Sequence, residues 1–334
     1  MAEHKLISES IDVSGPLEAI EEYYRRGWTD GLPVVPPTAD AVEKFLSSAG
    51  LRPNDVLGVE PTKGAVIIAE KAAINAVASG CLPEYMSVIV AAIGAITTDN
   101  FNLHAITNST MGAGILLIIN GPLAKTLKVN SGTSVFGPGH RANATIGRAI
   151  RLIVINVLGT RAGGLDKATQ GHPGKYTWCM AESNKESMWA PLHVTRGFDS
   201  NESTITTFAG LAGLQVGEHE ANAPEPLLTV FAKKLLGIGE AMHEVLIIIS
   251  PEHAAHLFRA GWSKTDVSSF LFEQTAILAK KTDDHQFSGT LLTPEAAVPI
   301  LAGGSGGGWS SIIPAWGLGT GGTTSVTRKI KIDK

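Results

Sequence analysis

The pattern of apolar and polar positions is clearest between residues 131 and 158. From residue 146 onward, apolar side chains recur every three or four positions, which is the spacing of one buried helix face. These positions are Ile146, Ala149, Ile150, Ile153, Val154 and Val157. A polar segment rich in glycine comes first, and Asn143 is predicted to cap the helix N-terminus. We therefore expect a glycine-rich loop that leads into a long, half-buried helix.

Elsewhere, short apolar runs alternate with helical patterns, and one arrangement occurs twice. A proline-initiated helix leads to a buried strand, Ile115–Ile119 or Val245–Ile249, and then to a second proline-initiated helix. The prolines are Pro83 and Pro122 in the first copy and Pro224 and Pro251 in the second. The pattern predicts an α/β fold of two similar α/β halves from an internal repeat. A ligand site is then expected between the halves, near the carboxyl ends of strands.

The predicted organisation has three parts. Residues 1–64 form an N-terminal helical arm and a proline-stiffened strap, residues 65–196 the first half, and residues 197–334 the second half. The first copy of the repeat spans 122 − 83 = 39 positions and the second 251 − 224 = 27, so the first is longer by 12. The extra length falls in the polar stretch 97–114. Such an insertion is either a functional loop or a longer surface loop.

Composition narrows the class of protein. The chain has 334 residues, of which 44% are hydrophobic and 17% charged, as in a compact globular protein. A net charge of −4, no basic cluster and only 6% aromatic residues argue against a nucleic-acid partner. The N-terminus lacks a signal-peptide core and no apolar run is long enough for a bilayer, so we expect a cytoplasmic protein without membrane contact. The apolar, glycine-rich chain also suggests a homo-oligomer.

The glycine-rich loop before the long helix suggests a site for a small anionic molecule. Free backbone N–H groups at a helix N-terminus favour an anion, and Arg141 and Arg148 add positive charge. The predicted ligand-binding residues of this segment are Ser131, Gly139, Arg141 and Asn143.

Four further places in the chain hold polar residues suited to ligand binding. His104, Thr107 and Asn108 of the insertion are expected to orient or protonate the ligand. Asp30 either faces the pocket from the strap or only closes an Asp-Gly turn, and Lys175 is a further candidate. The loop 303–311, with Gly304, Ser305 and Ser310, resembles an anion nest but matches neither a Walker A motif nor GxGxxG. We predict no cofactor, and we expect the loops 104–110, 131–143 and 303–311 to meet at one cavity.

The candidate catalytic side chains are one nucleophile and the bases near it in the sequence. Cys179 lies in a polar stretch and is the candidate nucleophile, with Glu182 and His193 near in sequence as possible bases. The alternative is that Cys179 is a small buried apolar residue, as free cysteines usually are. His253 and His256 share a helix face, but no third ligand has suitable spacing, so no metal site is predicted.

Several long stretches resemble one family. They are RGWTDGLPVVPPT, EKAAINAVASGCLPEYMSVIVAA, FGPGHRANATIGRAIRL, GKYTWCMAES and RAGWSKTDV. Together they are similar to a poorly characterised bacterial family associated with, or fused to, a small thiol or selenol domain with a UGSC or CGSC motif. The resemblance implies redox chemistry by association. Because this chain contains no CGSC, the thiol or selenol partner would be a separate polypeptide.

Two functions remain open on the sequence. The first is an enzyme that acts on a small anionic organic molecule by acid–base or thiol chemistry, of the lyase or hydrolase type. The second is a non-catalytic or substrate-binding subunit that works with a separate thiol or selenol protein.

Overall fold

A computed structural model describes residues 5–185, 187–239, 242–281 and 290–331. Helices make up 40% and strands 17%, which confirms the α/β class. The helices are α1 (Pro16–Arg26), α2 (Ala39–Ser48), α3 (Ala69–Ser79), α4 (Met86–Ile96), α5 (Leu103–Asn108), α6 (Pro122–Thr126), α7 (Arg141–Asn156), α8 (Leu192–Thr195), α9 (Pro224–Leu236), α10 (Pro251–Arg259) and α11 (Lys264–Ala279). The strands are β1 (Val56–Val59), β2 (Val66–Ile68), β3 (Gly114–Asn120), β4 (Cys179–Ala181), β5 (Thr204–Gly210), β6 (Leu214–Gly217), β7 (Val245–Ile249), β8 (Ala297–Leu301), β9 (Trp309–Pro314) and β10 (Val326–Lys329).

Two four-stranded sheets form the centre of the fold. The first sheet has the order β10-β5-β3-β4 and the second the order β6-β9-β7-β8. In each, the third strand is parallel to the fourth and antiparallel to the second, and the first strand is again antiparallel. A short hairpin, β1-β2, lies apart from both sheets. The two sheets therefore share one pattern of strand order and direction.

Apolar side chains on both faces of each sheet arrange the fold in four layers. On β3, Leu116 and Ile118 point to a cluster between the sheets, whereas Leu117 and Ile119 pack with α3, α4 and α7. The second sheet repeats this alternation, with Ile248 in the cluster between the sheets and its other face packed on α9, α10 and α11. Because strand side chains alternate with period two, one uninterrupted apolar run covers both faces. The layers are helices, sheet, sheet, helices.

Two strands, β6 and β10, pair with a different sheet from the strand that precedes them in the chain. β6 follows β5 in the chain but pairs with β9, and β10 follows β9 but pairs with β5. Where the crossing segments meet, Leu211 N donates to Pro314 O (2.9 Å) and Trp316 N donates to Ala209 O (2.8 Å). The predicted boundary after residue 196 therefore divides the first sheet, since β5 and β10 come from the part assigned to the second half. Backbone pairing between residues far apart in sequence decides which sheet β5 and β10 join. Local sequence patterns do not indicate such pairing.

The most apolar helical segment, α4, is buried in the first helical layer against β5 and β10. Within the described residues no single helix has the length and apolar character needed to cross a membrane. One pair bent by 82°, Pro83–Ile96 with Asp99–Asn108, meets the length and composition criteria only when its two members are taken together.

Candidate functional site

The two arginines predicted to hold an anion at the start of α7 are bonded to other groups. Arg141 Nε donates to Gly80 O (3.0 Å), and its Nη2 lies 3.4 Å from Cys81 O, so this side chain caps the C-terminus of α3. Arg148 forms a two-bond ion pair with Asp30, both bonds 2.8 Å. Arg141 and Asp30 are therefore structural residues here, because carbonyl and guanidinium partners already occupy their polar groups.

Two further predicted residues of this loop, Asn143 and Gly139, have different surroundings. α7 begins at Arg141 with His140 as its N-cap, so Asn143 lies in the first turn and the prediction that it is the cap was wrong. Its buried side chain accepts from Asn130 N (2.8 Å) and donates to Asn130 O and Cys179 O (both 3.0 Å). Gly139 has φ of +109°, a backbone conformation that favours glycine, and an added Cβ there meets nothing within 4 Å.

Two of the three predicted loops meet. Gly303 N donates to Ser131 O (2.9 Å), and Gly304 lies so close to Thr133 that a Cβ would be 2.5 Å from its hydroxyl oxygen. Ser305 is exposed, whereas Ser310 is buried on β9. The contact therefore lies at the carboxyl ends of the parallel strands, which are β3 and β4 in the first sheet and β7 and β8 in the second.

The third loop lies at the opposite end of β3. α5, which carries the residues of the insertion, precedes the first residue of β3, whereas the other two loops lie at the carboxyl ends of β4 and β8. The expectation that all three meet at one cavity was therefore wrong. A sequence pattern identifies each loop, but it does not indicate at which end of the sheet the loop lies in the folded chain.

Cys179, the predicted nucleophile, is a core residue. It is 4% exposed on β4, packs in the apolar cluster beneath α7, and burial raises the pKa of its thiol far above the ordinary range. Cys81 is also buried, and burial raises its pKa to about 11. A thiol in such surroundings carries almost no thiolate at neutral pH. The structure thus contradicts thiol catalysis by Cys179 and favours the alternative of a small buried apolar residue.

Glu182, the predicted base, joins the two halves. Its buried carboxylate accepts from Asn120 Nδ2 and Leu192 N (both 2.6 Å) and pairs with Lys264 Nζ (2.9 Å) at the first residue of α11. These three donors occupy its oxygens, so Glu182 is a cross-link and not a free base. No local pattern indicates Lys264, which is 82 positions away.

Two adjoining clefts lie at the amino end of β3 and share Thr107 in their walls. The first cleft, about 350 Å³ including its mouth, lies between α7 and β3, with Ile115, Ile150 and Val154 as apolar walls. Arg151 and Lys175 supply its charges. Four predicted site residues, His104, Thr107, Asn108 and Lys175, line one or both clefts.

Arg151 and Lys175 are held by one buried carboxylate. Asp166 lies 3.0 Å from Arg151 Nη2 and 2.8 Å from Lys175 Nζ, and its side chain is 3% exposed. Burial alone would raise the pKa of Asp166, but the bonds from Lys175, Ala168 N and Arg151 outweigh it and lower that pKa. Two cations against one anion leave one net positive charge at this cleft. Neither Arg151 nor Asp166 is among the residues predicted from the sequence.

The second cleft, about 250 Å³, is polar and contains His104. Asn108 Nδ2 lies 3.0 Å from His104 Nε2, and His104 Nδ1 lies 3.8 Å from Glu60 Oε2. Burial alone would raise the pKa of the Glu60 carboxyl, but N–H bonds from Thr62 and Lys63 outweigh it, so that pKa is lowered. His104 thus contacts an amide on one side and faces a carboxylate with a lowered pKa on the other, an arrangement suited to proton transfer.

Metal ligation has little support in the part of the chain that the structure describes, where no three histidine, cysteine, aspartate or glutamate side chains are grouped to hold an ion. His253 contacts Ser310 and Glu218, and His256 contacts Arg259. No protein-family model matches this chain, and a comparison with curated proteins found no match.

Proposed function

We propose that this protein is an enzyme that acts on a small anionic organic molecule by acid–base chemistry at the two adjoining clefts. The observation that carries the proposal is the position of His104, between the buried Glu60 carboxylate and Asn108, beside a cleft with a net positive charge. The substrate anion would bind at Arg151 and Lys175, and its carbon chain would contact the apolar wall.

The reaction type supported best is proton removal followed by elimination, which is lyase chemistry. His104 Nε2 would exchange its bond from Asn108 for a substrate proton, and the negative charge of Glu60 would stabilise the imidazolium that results. Hydrolysis through a thiol is not proposed, because both cysteines are buried.

The shared pattern of the two sheets supports an internal repeat, in which β3 corresponds to β7 and α6 to α10. The active site we propose lies in the first half, on the longer connection before β3, and not between the halves.

Deuterium exchange tests the acid–base role. The full-length protein is incubated in D₂O with a panel of small carboxylic and hydroxy acids, and NMR follows loss of C–H signals or the appearance of an alkene. We expect His104→Gln to lower the rate by about 10²–10⁴-fold. His256→Gln, on a helix of the other helical layer, should leave it unchanged. Equal rates in wild type and His104→Gln contradict the proposal.

The burial of both cysteines favours one other function, a substrate-binding subunit whose thiol or selenol is supplied by a separate protein. Binding of small acids without any exchange or turnover by the chain alone supports this second function. Self-association stays a prediction, to which the exposed Val56, Val59 and Val66 of the hairpin add an apolar surface. A monomer by light scattering at micromolar concentration contradicts it.

A further inference from the structure

A second group of reactive side chains lies away from the clefts, where β9 and α10 begin. Ser310 and His253 are 3% and 2% exposed. Ser310 Oγ is 2.7 Å from His253 Nδ1, and His253 Nε2 is 2.9 Å from the carbonyl oxygen of Glu218. The three groups form a line of serine, histidine and main-chain carbonyl that nothing in the proposed acid–base site uses.

The carbonyl oxygen of Glu218 determines which nitrogen of His253 carries the ring proton. A carbonyl oxygen only accepts, so His253 Nε2 carries the ring proton and Nδ1 is the free acceptor toward Ser310. Burial lowers the pKa of His253, against the opposing effect of the bond to Glu218, so the imidazole is neutral at neutral pH. The Ser310 hydroxyl donates to Nδ1 while its oxygen accepts from Ser250 N (3.0 Å). A second hydroxyl, that of Ser250, lies farther off at 3.4 Å.

We propose that Ser310 is a nucleophile activated by His253, with a carboxylic ester as its class of substrate. A hydroxyl in hydrogen-bond contact with a base, and a base oriented by a third group, is the arrangement that nucleophilic catalysis requires. The proposal is independent of the His104 clefts, which lie in the other helical layer.

The reaction balances with the ester and water alone. Ser310 Oγ forms a bond to the ester carbonyl carbon and its proton moves to His253 Nδ1. The carbon–oxygen bond of the ester breaks, and the leaving alcohol takes that proton, which leaves an acyl group on Ser310. Water then attacks the acyl carbon and gives a proton to Nδ1. The free acid departs as Ser310 Oγ recovers the proton.

Access to Ser310 is controlled by the glycine-rich segment 303–308. At Gly308 an added Cβ would lie 2.2 Å from Glu218 O and 2.7 Å from His253 Nε2, so this backbone lies directly against the imidazole and its carbonyl partner. Ser305 and Gly306 of the segment are exposed, and Trp309 beside it is 58% exposed with its ring 5.4 Å from His219. The segment is bonded at both ends, where Gly303 N donates to Ser131 O and Gly308 O accepts from Glu218 N, so the part that would move aside is the exposed stretch between them. The ester would enter where this segment lifts, against Trp309.

The first half contains a matched control. Ser203 Oγ accepts from Leu123 N (2.9 Å) near the start of α6, as Ser310 accepts from Ser250 N near the start of α10. Both serines thus hold the start of a helix, but of the two only Ser310 contacts the ring of His253. A reactivity that belongs to the serine–histidine pair will appear at Ser310 and not at Ser203.

The test is covalent labelling of the full-length protein with diisopropyl fluorophosphate, located by peptide mass spectrometry. Serine oxygen bonds to phosphorus, the phosphorus–fluorine bond breaks, and fluoride leaves. We expect an adduct at Ser310, none at Ser203, and labelling slower by about 100-fold or more in His253→Gln. No adduct at Ser310, equal labelling of Ser203, or an unchanged rate in His253→Gln overturns the proposal. If His253→Gln does not fold, the comparison of Ser310 with Ser203 in the wild type decides.

Discussion

The two halves of the sandwich share one sheet pattern, yet both clefts lie in the helical layer of the first. Between α4 and β3 the chain makes a turn at Asp99–Phe101 and the extra helix α5. Between α9 and β7, only residues 237–244 intervene. The longer connection supplies His104, Thr107 and Asn108 to the cleft walls. The polar side chains of the proposed site thus lie in the longer of the two connections.

Three buried carboxylates follow the same division, whereas Glu182 pairs with Lys264 of α11 in the second layer. Asp30, Glu60 and Asp166 are carboxylates with lowered pKa, and all three lie in or against the first helical layer. The second layer packs mainly apolar side chains against its sheet. A buried carboxylate is stable in its charged form only when it is paired and hydrogen-bonded. These three carboxylates therefore mark the part of the fold that supplies such partners.

The largest expected effect concerns the apolar layer that the two sheets share. Ile118→Ala and Ile248→Ala each remove a buried side chain from the cluster between the sheets. Each should lower the free energy of unfolding by about 2–5 kcal/mol, the usual cost of such a cavity. Urea unfolding should show one transition that both variants shift. Two separate transitions, with only one moved, would show that the halves do not share a core.

Removal of the carboxylate between Arg151 and Lys175 comes next. Asp166→Ala leaves two half-buried cations without their partner, which should cost about 3–5 kcal/mol of stability. Asp40→Ala breaks the exposed pair with Lys44 and should change the urea midpoint little. Similar midpoints for both variants would show that the Asp166 group is no more than a surface ion pair.

The two serines that hold the helix starts should differ. Ser203→Ala leaves one backbone N–H unpaired, a loss of about 1–3 kcal/mol. Ser310→Ala leaves both Ser250 N and His253 Nδ1 unpaired, so its loss in thermal or urea unfolding should be larger. Equal losses would mean that the hydroxyl–imidazole bond contributes nothing to stability.

Acid should destabilise the first layer through Asp166. Because its pKa is lower in the folded than in the unfolded chain, its contribution is present above the unfolded value of about 3.9 and is lost as pH falls through the folded pKa. Asp166→Asn should therefore flatten the fall in melting temperature at acid pH. An identical slope in wild type and Asp166→Asn would indicate that other groups govern acid unfolding.

The smallest effect separates the two anion sites considered. Sulfate or a small carboxylate should raise the melting temperature by about 2 °C if it binds only the native state. Lys175→Met should abolish this shift, whereas Arg141→Met should retain it, because Arg141 caps α3. Loss of the shift in Arg141→Met alone would return the site to the start of α7.

The sequence alone determined features that depend on neighbouring residues. The buried face of α7 was predicted from apolar spacing, and Ile146, Ala149 and Ile153 are indeed almost fully buried. The strands β3 and β7 and the proline starts of α6 and α10 were predicted in the same way. The insertion was also predicted, and its His104 does line a cleft. Helix periods, proline starts and apolar strand runs are local properties, so one sequence is enough.

Only the tertiary structure decided which partner each polar side chain meets. Asp30 pairs with Arg148, 118 positions away, and Glu182 pairs with Lys264. Neither pairing has a local signal, because the chain brings the partners together only after the helices pack on the sheets. The exchange of β6 and β10 between sheets, and the burial of Cys179 under α7, have the same cause. Apolar spacing specifies which face of an element is buried, but only the folded chain determines what that face contacts.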